Sequence, residues 1–199
     1  PAGGRLDRVI LIGLGKASDI TELEMQNLGG KIYSYTHRAV KGVVAIAVDP
    51  VSGSKLNTAQ VAAHMAFGAR LRSYRFDKYK TKKKESEKSS LKSMAFHCGA
   101  FLNARSIFRT LDRVADGIFF TRDLVSEPPN VLYPETLAKQ AKTLEKLGVK
   151  VEILGETQMR RLGMGALLGV GQGSIRSSKL VVMQWNGKPK KRGQKSKDN

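Results

Sequence analysis

Two glycine-rich stretches have the residue types that best suit phosphate binding. "GLGKAS" (residues 13–18) follows an apolar run, and "GVGQGS" (residues 169–174) precedes one. The dinucleotide-binding fingerprint needs a third glycine between a strand and a helix, but Ser18 and Ser174 take its place. The P-loop spacing G-x-x-x-x-G-K-[ST] does not occur in the chain. Tight turns are therefore favoured over a nucleotide site at both stretches.

The residues that could hold a metal ion or exchange a proton are scattered along the sequence. His97 precedes Cys98, but neighbouring residues of a strand point to opposite faces, so this pair cannot readily share a metal. Asp123 and Glu127 stand at helical spacing next to two prolines, which favours polar groups at a helix end over an acid–base pair. The three histidines, none of which has a carboxylate at ligand spacing, are predicted to be structural: His37, His64 and His97.

Basic residues dominate the charge. The chain has 35 Lys and Arg against 17 Asp and Glu, a net charge of +18. Most of the excess lies in residues 70–92 and 188–199, so it belongs to a linker and a tail. A solvated loop and tail are favoured, and polyanion binding is the alternative, because lysines near phosphates release counterions. The candidate polyanion-binding residues are Lys80, Lys82, Lys83, Lys84, Lys190, Lys191 and Arg192.

Aromatic residues interleave with this basic linker at one place. In "RSYRFDKYK", three aromatic side chains could stack on bases or could pack against the protein: Tyr74, Phe76 and Tyr79. The single cysteine fits a reducing compartment, and no apolar run reaches the roughly 18 residues that a membrane span needs. The sequence thus predicts no membrane partner and leaves nucleic acid as a possible one.

Hydrophobic periodicity predicts an α/β fold for the first half of the chain. Apolar runs over residues 8–13 and 42–50 predict buried strands, and "LKSMAFHC" predicts an edge strand. One helix is expected to begin at a Ser18 or Asp19 cap, with Gly29 and Gly30 weakening its middle, and another to span residues 58–74. The alternation of strand and helix predicts a mainly parallel sheet flanked by helices.

A long amphipathic helix over residues 103–126 is predicted to end this N-terminal domain. The "EPPN" stretch stops the helix, since the residue before a proline is pushed out of helical geometry. The predicted first domain therefore spans residues 1–126, including a basic loop over 75–90. Residues 127–199 are predicted to begin a second, incomplete α/β domain with a basic tail over 188–199.

The second domain is predicted to start with a helix at Pro134, which suits a first helical turn. One apolar stripe and a terminal Gly148 define this helix: Leu137, Ala141, Leu144 and Leu147. "VKVEIL" and "KLVVMQW" predict strands, and "ETQMRRLG" predicts a short helix between them.

The second half of the sequence resembles the leucyl (cytosol) aminopeptidases. The resemblance rests on "RDLV" followed by "EPPN", the Pro-Glu helix start, the "LGMGALLGVGQGS" loop and the apolar strand ending in "NG". "VILIGLGK" and "LRSYRFDKYKTKKK" look like the family's N-terminal domain and linker region. One departure is Tyr133, where a Thr or similar N-cap is common, and it bears on helix stability. By this resemblance the glycine-rich stretch is a loop ahead of a central strand.

The resemblance implies a homohexameric exopeptidase that removes N-terminal residues from peptides with two divalent metal ions, Mn or Zn. It also implies that the metal ligands and the catalytic Lys and Arg follow the "NG" strand. No catalytic or metal residue is therefore assigned within this chain, and residues 1–199 alone are predicted to be inactive.

Two hypotheses about function are kept. The first is that the chain is the N-terminal domain and the opening of the catalytic domain of a leucyl aminopeptidase. The alternative is a non-catalytic derivative that binds nucleic acid or a ribonucleoprotein, which the basic loop and tail favour. The expected compartment is the cytoplasm, with the mitochondrial matrix as the alternative.

Overall fold

A computed structural model describes residues 8–82 and 89–187 of the chain. It divides into two compact units, Pro1–Asp123 and Leu124–Asn199. The predicted domain boundary after residue 126 lies near this division and stays a prediction. Within the described residues, every helix is too short or too polar to span a membrane.

The first helix of the first unit, α1 (Glu22–Thr36), begins one turn later than predicted. The expected caps Ser18 and Asp19 are wrong, because both belong to a 3-10 turn, Ala17–Asp19. Thr21 is the N-cap instead, and its hydroxyl accepts a hydrogen bond from the Glu24 amide at 3.2 Å. The sequence therefore predicted a helix here. It did not show which polar residue, Ser18, Asp19 or Thr21, accepts hydrogen bonds from the free amide groups at the start of the helix.

The second helix, α2 (Thr58–Ser73), confirms its predicted span. Its N-terminus has a capping box in which the Asn57 carboxamide accepts from the Gln60 amide and the Gln60 carboxamide accepts from the Asn57 amide, both at 3.0 Å. This reciprocal pair satisfies two amide groups that the helix itself leaves free.

The glycines that were expected to weaken α1 have a packing role at one position. A Cβ on Gly29 would lie 1.9 Å from the Met65 carbonyl oxygen of α2, and one on Gly68 would lie 1.8 Å from the Gln26 carbonyl oxygen of α1. Neither helix tolerates a side chain there, so the two backbones approach closely. Gly30 has no such contact, since its nearest neighbour would be at 3.6 Å.

Two parallel strands, β1 (Gly42–Ala47) and β2 (Leu91–His97), form the sheet of the first unit. Both strands were predicted, and their parallel pairing agrees with the predicted mainly parallel sheet. The expectation that the first strand is buried is wrong, because β1 alternates between half-buried and exposed residues. The buried cluster joins residues from the α1 and α2 region with Val48 after β1, and its members are Ile20, Met25, Ile32, Val48, Val61, Ala62 and Met65. Each large apolar side chain buried this way contributes about 1.5–3 kcal/mol.

The predicted strand over residues 8–13 is wrong. These residues have no strand conformation, and Leu11 is 94% exposed. Among the described residues, β1 and β2 pair only with each other in this unit. A β-branched composition favours a strand, but a strand forms only where a partner satisfies its backbone groups, and composition does not specify that partner.

The long helix α3 (Phe101–Ser126) confirms the predicted connecting helix and begins two residues earlier than expected. Ala115 is its one fully buried residue, and the apolar side chains of Val114 and Val125 are exposed. The helical period was therefore predicted, although the burial of its apolar stripe is only partial.

In the second unit, α4 (Pro134–Lys142) is followed by a 3-10 turn, Thr143–Leu147, and by Gly148 in left-handed conformation at φ +89°. The predicted helix and its glycine stop are thus confirmed. The phenol of Tyr133 makes no capping hydrogen bond, as expected where Tyr replaces the usual Thr or similar N-cap. Instead the Thr136 hydroxyl accepts from the Tyr133 amide at 2.9 Å. The buried position is Ala138, whereas Leu137 and Leu147 of the predicted stripe are exposed.

The remaining elements are β3 (Lys150–Leu154), α5 (Glu156–Arg161), α6 (Gly165–Gly171) and β4 (Leu180–Gln184). Strands β3 and β4 are paired antiparallel. The prediction of a loop over "LGMGALLGVGQGS" is wrong for seven residues, which form α6. Gly169 and Gly171 therefore make no tight turn, and in this stretch only Gly163 has a positive φ, +72°.

Candidate functional site

The candidate polyanion-binding residues fall mostly outside the described part of the chain. Lys80 and Lys82 lie in the exposed stretch after α2, and Lys80 forms an ion pair with Asp77 at 3.3 Å. The other five candidates, Lys83, Lys84, Lys190, Lys191 and Arg192, lie outside the described residues. Polyanion binding by this set stays a prediction.

The three aromatic residues of the basic linker are engaged with neighbouring side chains. The Tyr74 ring lies 5.2 Å from the Phe119 ring, and the Arg122 guanidinium sits 4.0 Å from the Tyr74 centroid. Phe76 and Tyr79 contact each other at 5.9 Å. These contacts therefore favour packing against the protein over stacking on bases.

The candidate proton-transfer residues have ordinary structural partners. Asp123 accepts a hydrogen bond from the Tyr74 hydroxyl at 2.8 Å. His64 is buried in α2, 3.1 Å from the Gln26 carboxamide nitrogen and 3.5 Å from a Glu22 carboxylate oxygen. The His37 ring stacks on Tyr33 with centroids 5.1 Å apart. The contacts of His64 and His37 stabilise α1 and its junction with α2, and the contact of Asp123 joins α3 to the end of α2.

Arg70 links α2 to α3 through two carboxylates. Its guanidinium pairs with Asp112 and contacts Asp116 at 2.6 Å, and Arg113 contacts the other Asp116 oxygen at 3.1 Å. The hydrogen bond from Arg70 is the main cause that lowers the Asp116 pKa below its ordinary value, and Arg113 adds to it. The same guanidinium lies 5.2 Å from the Phe119 ring centroid. These contacts of Arg70 hold α3 against α2.

In the second unit, the charged groups around the start of α4 form a smaller network. Glu135 and Lys139 are 2.8 Å apart at helical spacing, which lowers the Glu135 pKa and raises the Lys139 pKa through their hydrogen bond. The Arg176 guanidinium stacks on the Tyr133 ring at 4.0 Å. The Glu156 carboxylate accepts from the Ser178 amide at 2.9 Å and so joins α5 to the segment before β4.

No group of three His, Cys, Asp or Glu side chains within residues 8–82 and 89–187 is arranged to hold a metal ion. The acidic residues of the second unit that the structure describes lie on different elements. Glu135 and Glu156 are in separate helices, and Glu152 is in β3. A two-metal centre needs several carboxylates that converge on ions about 3.5–4 Å apart.

A cleft in the first unit was not foreseen from the sequence. It is open to solvent, has a volume of about 790 Å³, and is lined by Tyr33 of α1 together with residues of α2, β2 and the beginning of α3. Lys92 and Arg105 supply positive charge to its lining, and several alanines of α2 supply small apolar side chains. The alanine-rich face of "TAQVAAHMAFGA" is the sequence signal that could have indicated it.

Comparisons with known proteins identify the two halves of the chain in order. The model of the cytosol aminopeptidase family N-terminal domain matches residues 1–83. The model of the same family's catalytic domain matches residues 119–196. The first match covers most of the first unit's described elements, and the second begins near the end of α3.

Individual relatives agree with the family models. A probable cytosol aminopeptidase of Bradyrhizobium sp. is 46% identical over 187 residues, which are 94% of this chain and 37% of the relative. The chain thus spans little more than a third of such relatives.

Solved structures share the fold. The bottromycin maturation enzyme BotP in complex with Mn has a TM-score of 0.68 at 21% identity, over 88% of this chain and 36% of BotP. A tomato leucine aminopeptidase mutant has a TM-score of 0.69 at 24% identity, over 85% of this chain and 34% of its own. These structures show the fold alone. The two domain matches and the 46% identical relative show that the chain belongs to the cytosol aminopeptidase family.

Proposed function

We propose that the chain is the N-terminal domain and the opening of the catalytic domain of a leucyl aminopeptidase. The whole protein would remove N-terminal residues, leucine among them, from peptides. The predicted boundary between residues 126 and 127 would separate the two domains. The hydrolysis itself would be performed by the whole protein, and the described residues would serve as its scaffold.

The observation that carries this proposal is the order of the two domain matches. The N-terminal match precedes the catalytic match on one chain, and a probable cytosol aminopeptidase aligns with 94% of the sequence. A chain that had kept only one of the two domains for another purpose would not need both in this order.

The residues in hand do not fit a two-metal centre. Among the described residues, no three His, Cys, Asp or Glu side chains are grouped to hold an ion. We therefore assign the metal ligands to the part of the relatives' length that this chain does not span. The two expected ions are Mn or Zn, and the Mn in the BotP complex supports Mn.

The second unit would contribute an incomplete part of the catalytic domain's sheet. Its two strands leave Val182, Met183 and Trp185 exposed by 46%, 57% and 63%. Val182 and Met183 are neighbours in β4 and point to opposite faces, so both faces of the strand have exposed apolar side chains. Such side chains are typical of surfaces that another part of the protein covers. The proposed cover is the remainder of the catalytic domain.

The assembly and compartment of the whole protein are part of the same proposal. A homohexamer and peptide substrates are expected from the family resemblance, and the cytosol is expected from the names of the relatives. The comparisons give no support to the non-catalytic alternative or to the mitochondrial matrix, since the curated relative is a probable cytosol aminopeptidase.

The test is a hydrolysis assay with leucine amide and leucyl peptides in the presence of Mn, Zn or Co. Residues 1–199 should be inactive with every ion, and the same chain extended through the rest of the catalytic domain should show metal-dependent turnover. Turnover by residues 1–199 alone would contradict the assignment of the metal ligands. An inactive extended protein that binds no metal would contradict the proposed activity.

A further inference from the structure

The cleft of the first unit has a size and a lining that suit a small ligand. Its volume, about 790 Å³, lies within the roughly 300–1,000 Å³ of typical small-molecule sites. The lining combines the aromatic rings of Tyr33, Phe96, Phe101 and Phe108 with a few polar groups, as such sites do. Phe101 is 62% exposed, so part of this aromatic surface is open to solvent.

The space exists because one face of α2 carries small side chains. Ala62, Ala66 and Ala69 line the cleft at helical spacing, with Ala63 beside them. Ala62, Ala63 and Ala69 are buried, whereas Ala66 is only partly covered. Ala66 is therefore the alanine of this face that leaves open space next to the side chains of β2 and α3.

The charge of the lining has one sign. Its ionisable residues are Arg70, Lys92 and Arg105, and no Asp or Glu lines it. Asp112 and Asp116 already neutralise Arg70. Lys92 and Arg105 are exposed, and neither has an ion-pair partner among the described residues. The cleft therefore offers two uncompensated cations beside an aromatic and aliphatic surface.

We propose that this cleft binds a small amphipathic carboxylate, one with an aromatic or branched apolar body and no amino group. The apolar body would lie against the alanine face of α2 and the rings of Phe96 and Phe108. The carboxylate would pair with Lys92 and Arg105, because charge-assisted hydrogen bonds to a guanidinium are among the stronger polar contacts. This binding is independent of the proposed peptidase activity.

The same lining disfavours a free amino acid. An α-ammonium group would need a carboxylate or a set of free carbonyl groups, and the cleft presents two cations instead. Placing a third positive charge there costs free energy, since like charges repel more strongly next to an apolar surface than in bulk water. The cleft should thus distinguish an acid from an amine of the same shape.

Four related probes test the proposal by isothermal titration calorimetry on the full 199-residue chain. They are 4-phenylbutyrate, 4-phenylbutylamine, 4-phenylbutanol and butyrate. The phenylbutyrate should bind at least tenfold more tightly than each of the other three, and more weakly as salt concentration rises. Equal binding of the amine and the acid would overturn the proposal.

Variants locate the site. Replacing Lys92 and Arg105 together by Gln should weaken phenylbutyrate binding at least tenfold while leaving phenylbutanol binding unchanged. Ala66→Trp should abolish binding, because its indole ring would occupy the part of the cleft in which the apolar body lies. Lys150→Gln, a charge loss on exposed β3, is the matched control and should have no effect. If circular dichroism shows that Ala66→Trp does not fold, the double substitution of Lys92 and Arg105 by Gln still tests the proposal. Unchanged phenylbutyrate affinity in that double variant would refute the proposed site.

Discussion

The two units of the chain bury apolar surface to very different degrees. In the first unit, α1 and α2 share a core that includes Ile20, Met25 and Met65, each no more than 4% exposed. Among the described residues of the second unit, only Ala138 and Met159 are buried apolar residues. Its large apolar side chains include Val170 and Ile175, which are 89% and 97% exposed.

The difference shows that a confirmed set of helices and strands does not by itself make a stable domain. Both units have helices and paired strands near their predicted positions. In the first unit the backbones of α1 and α2 meet, and tertiary packing supplies most of a helix's stability in proteins. The described sheet of each unit has two strands and is marginal unless other elements cover it, so the units differ in how much apolar surface they bury and not in their sheets. The second unit therefore depends on further contacts in a way that the first does not.

The largest expected effect comes from filling the helix contact of the first unit. Gly29→Ala would place a Cβ 1.9 Å from the Met65 carbonyl oxygen, which is backbone and cannot rotate away. The two helices must separate, so we expect a loss of about 3 kcal/mol or more in the free energy of unfolding. Urea unfolding followed by circular dichroism measures it.

Gly30→Ala is the matched control for this substitution. Its Cβ would meet the nearest atom at 3.6 Å, an ordinary contact, and alanine favours a helix over glycine by up to about 1 kcal/mol. We therefore expect Gly30→Ala to be neutral or stabilising. Similar losses at both positions would show that helix propensity, and not close packing, explains the glycines of α1.

The elements that the sequence predicted are those fixed by local signals. The helix α2 follows from its apolar period, and Gly148 stops the helical region after α4 as expected. The strands β1 and β4 follow from short apolar runs. In each case neighbouring residues contain the information, because period, cap and stop signal all act within a turn or two.

What the sequence did not predict depends on distant partners. Gly29 appeared unfavourable in a helix because its contact, Met65, lies on another helix. Residues 8–13 suggested a strand, although no partner strand pairs with them among the described residues. The cleft lined by Lys92 and Arg105 combines residues from four elements. The hydrophobic period of a short segment does not show which distant residues will lie close to it in the folded protein.

Hydrogen exchange offers a direct comparison of the two units in one molecule. Amides in the middle of α1 and α2 should exchange at least about 100-fold more slowly than those of β3 and β4, since protection follows burial and local contact density. Mass spectrometry of peptic fragments measures both in the same sample. Equal protection would mean that the second unit is as stable as the first, despite its sparse core.

A smaller effect is expected from the capping box of α2. Asn57→Ala removes the carboxamide that accepts from the Gln60 amide and should cost about 1 kcal/mol. Asn57→Gly should cost only a few tenths of a kcal/mol, because glycine is accepted at this position. Thermal unfolding of the two variants measures the difference, and equal losses would argue against a capping role for the carboxamide.

The smallest effect concerns how each unit uses an ion pair. In the first unit Arg70 reaches Asp116 from another helix, whereas Glu135 and Lys139 of the second unit are one turn apart. Arg70 lowers the Asp116 pKa in the folded state, so its contribution to stability is complete above the ordinary aspartate pKa. That contribution is lost as the pH falls through the lowered folded-state value.

Arg70→Met should therefore raise the Asp116 pKa toward its ordinary value and weaken the pH dependence of unfolding on the acidic side. Arg113→Met, the matched control, should raise the pKa less, because the Arg113 contact is the weaker cause. Carboxyl-detected NMR titration measures both shifts.

Lys139→Met should likewise raise the Glu135 pKa, yet it should leave the free energy of unfolding unchanged, since a local exposed pair contributes little. A larger Asp116 shift in Arg113→Met than in Arg70→Met would refute the role assigned to Arg70. A loss of stability in Lys139→Met as large as in Arg70→Met would show that the local pair anchors its unit as strongly as the long-range one.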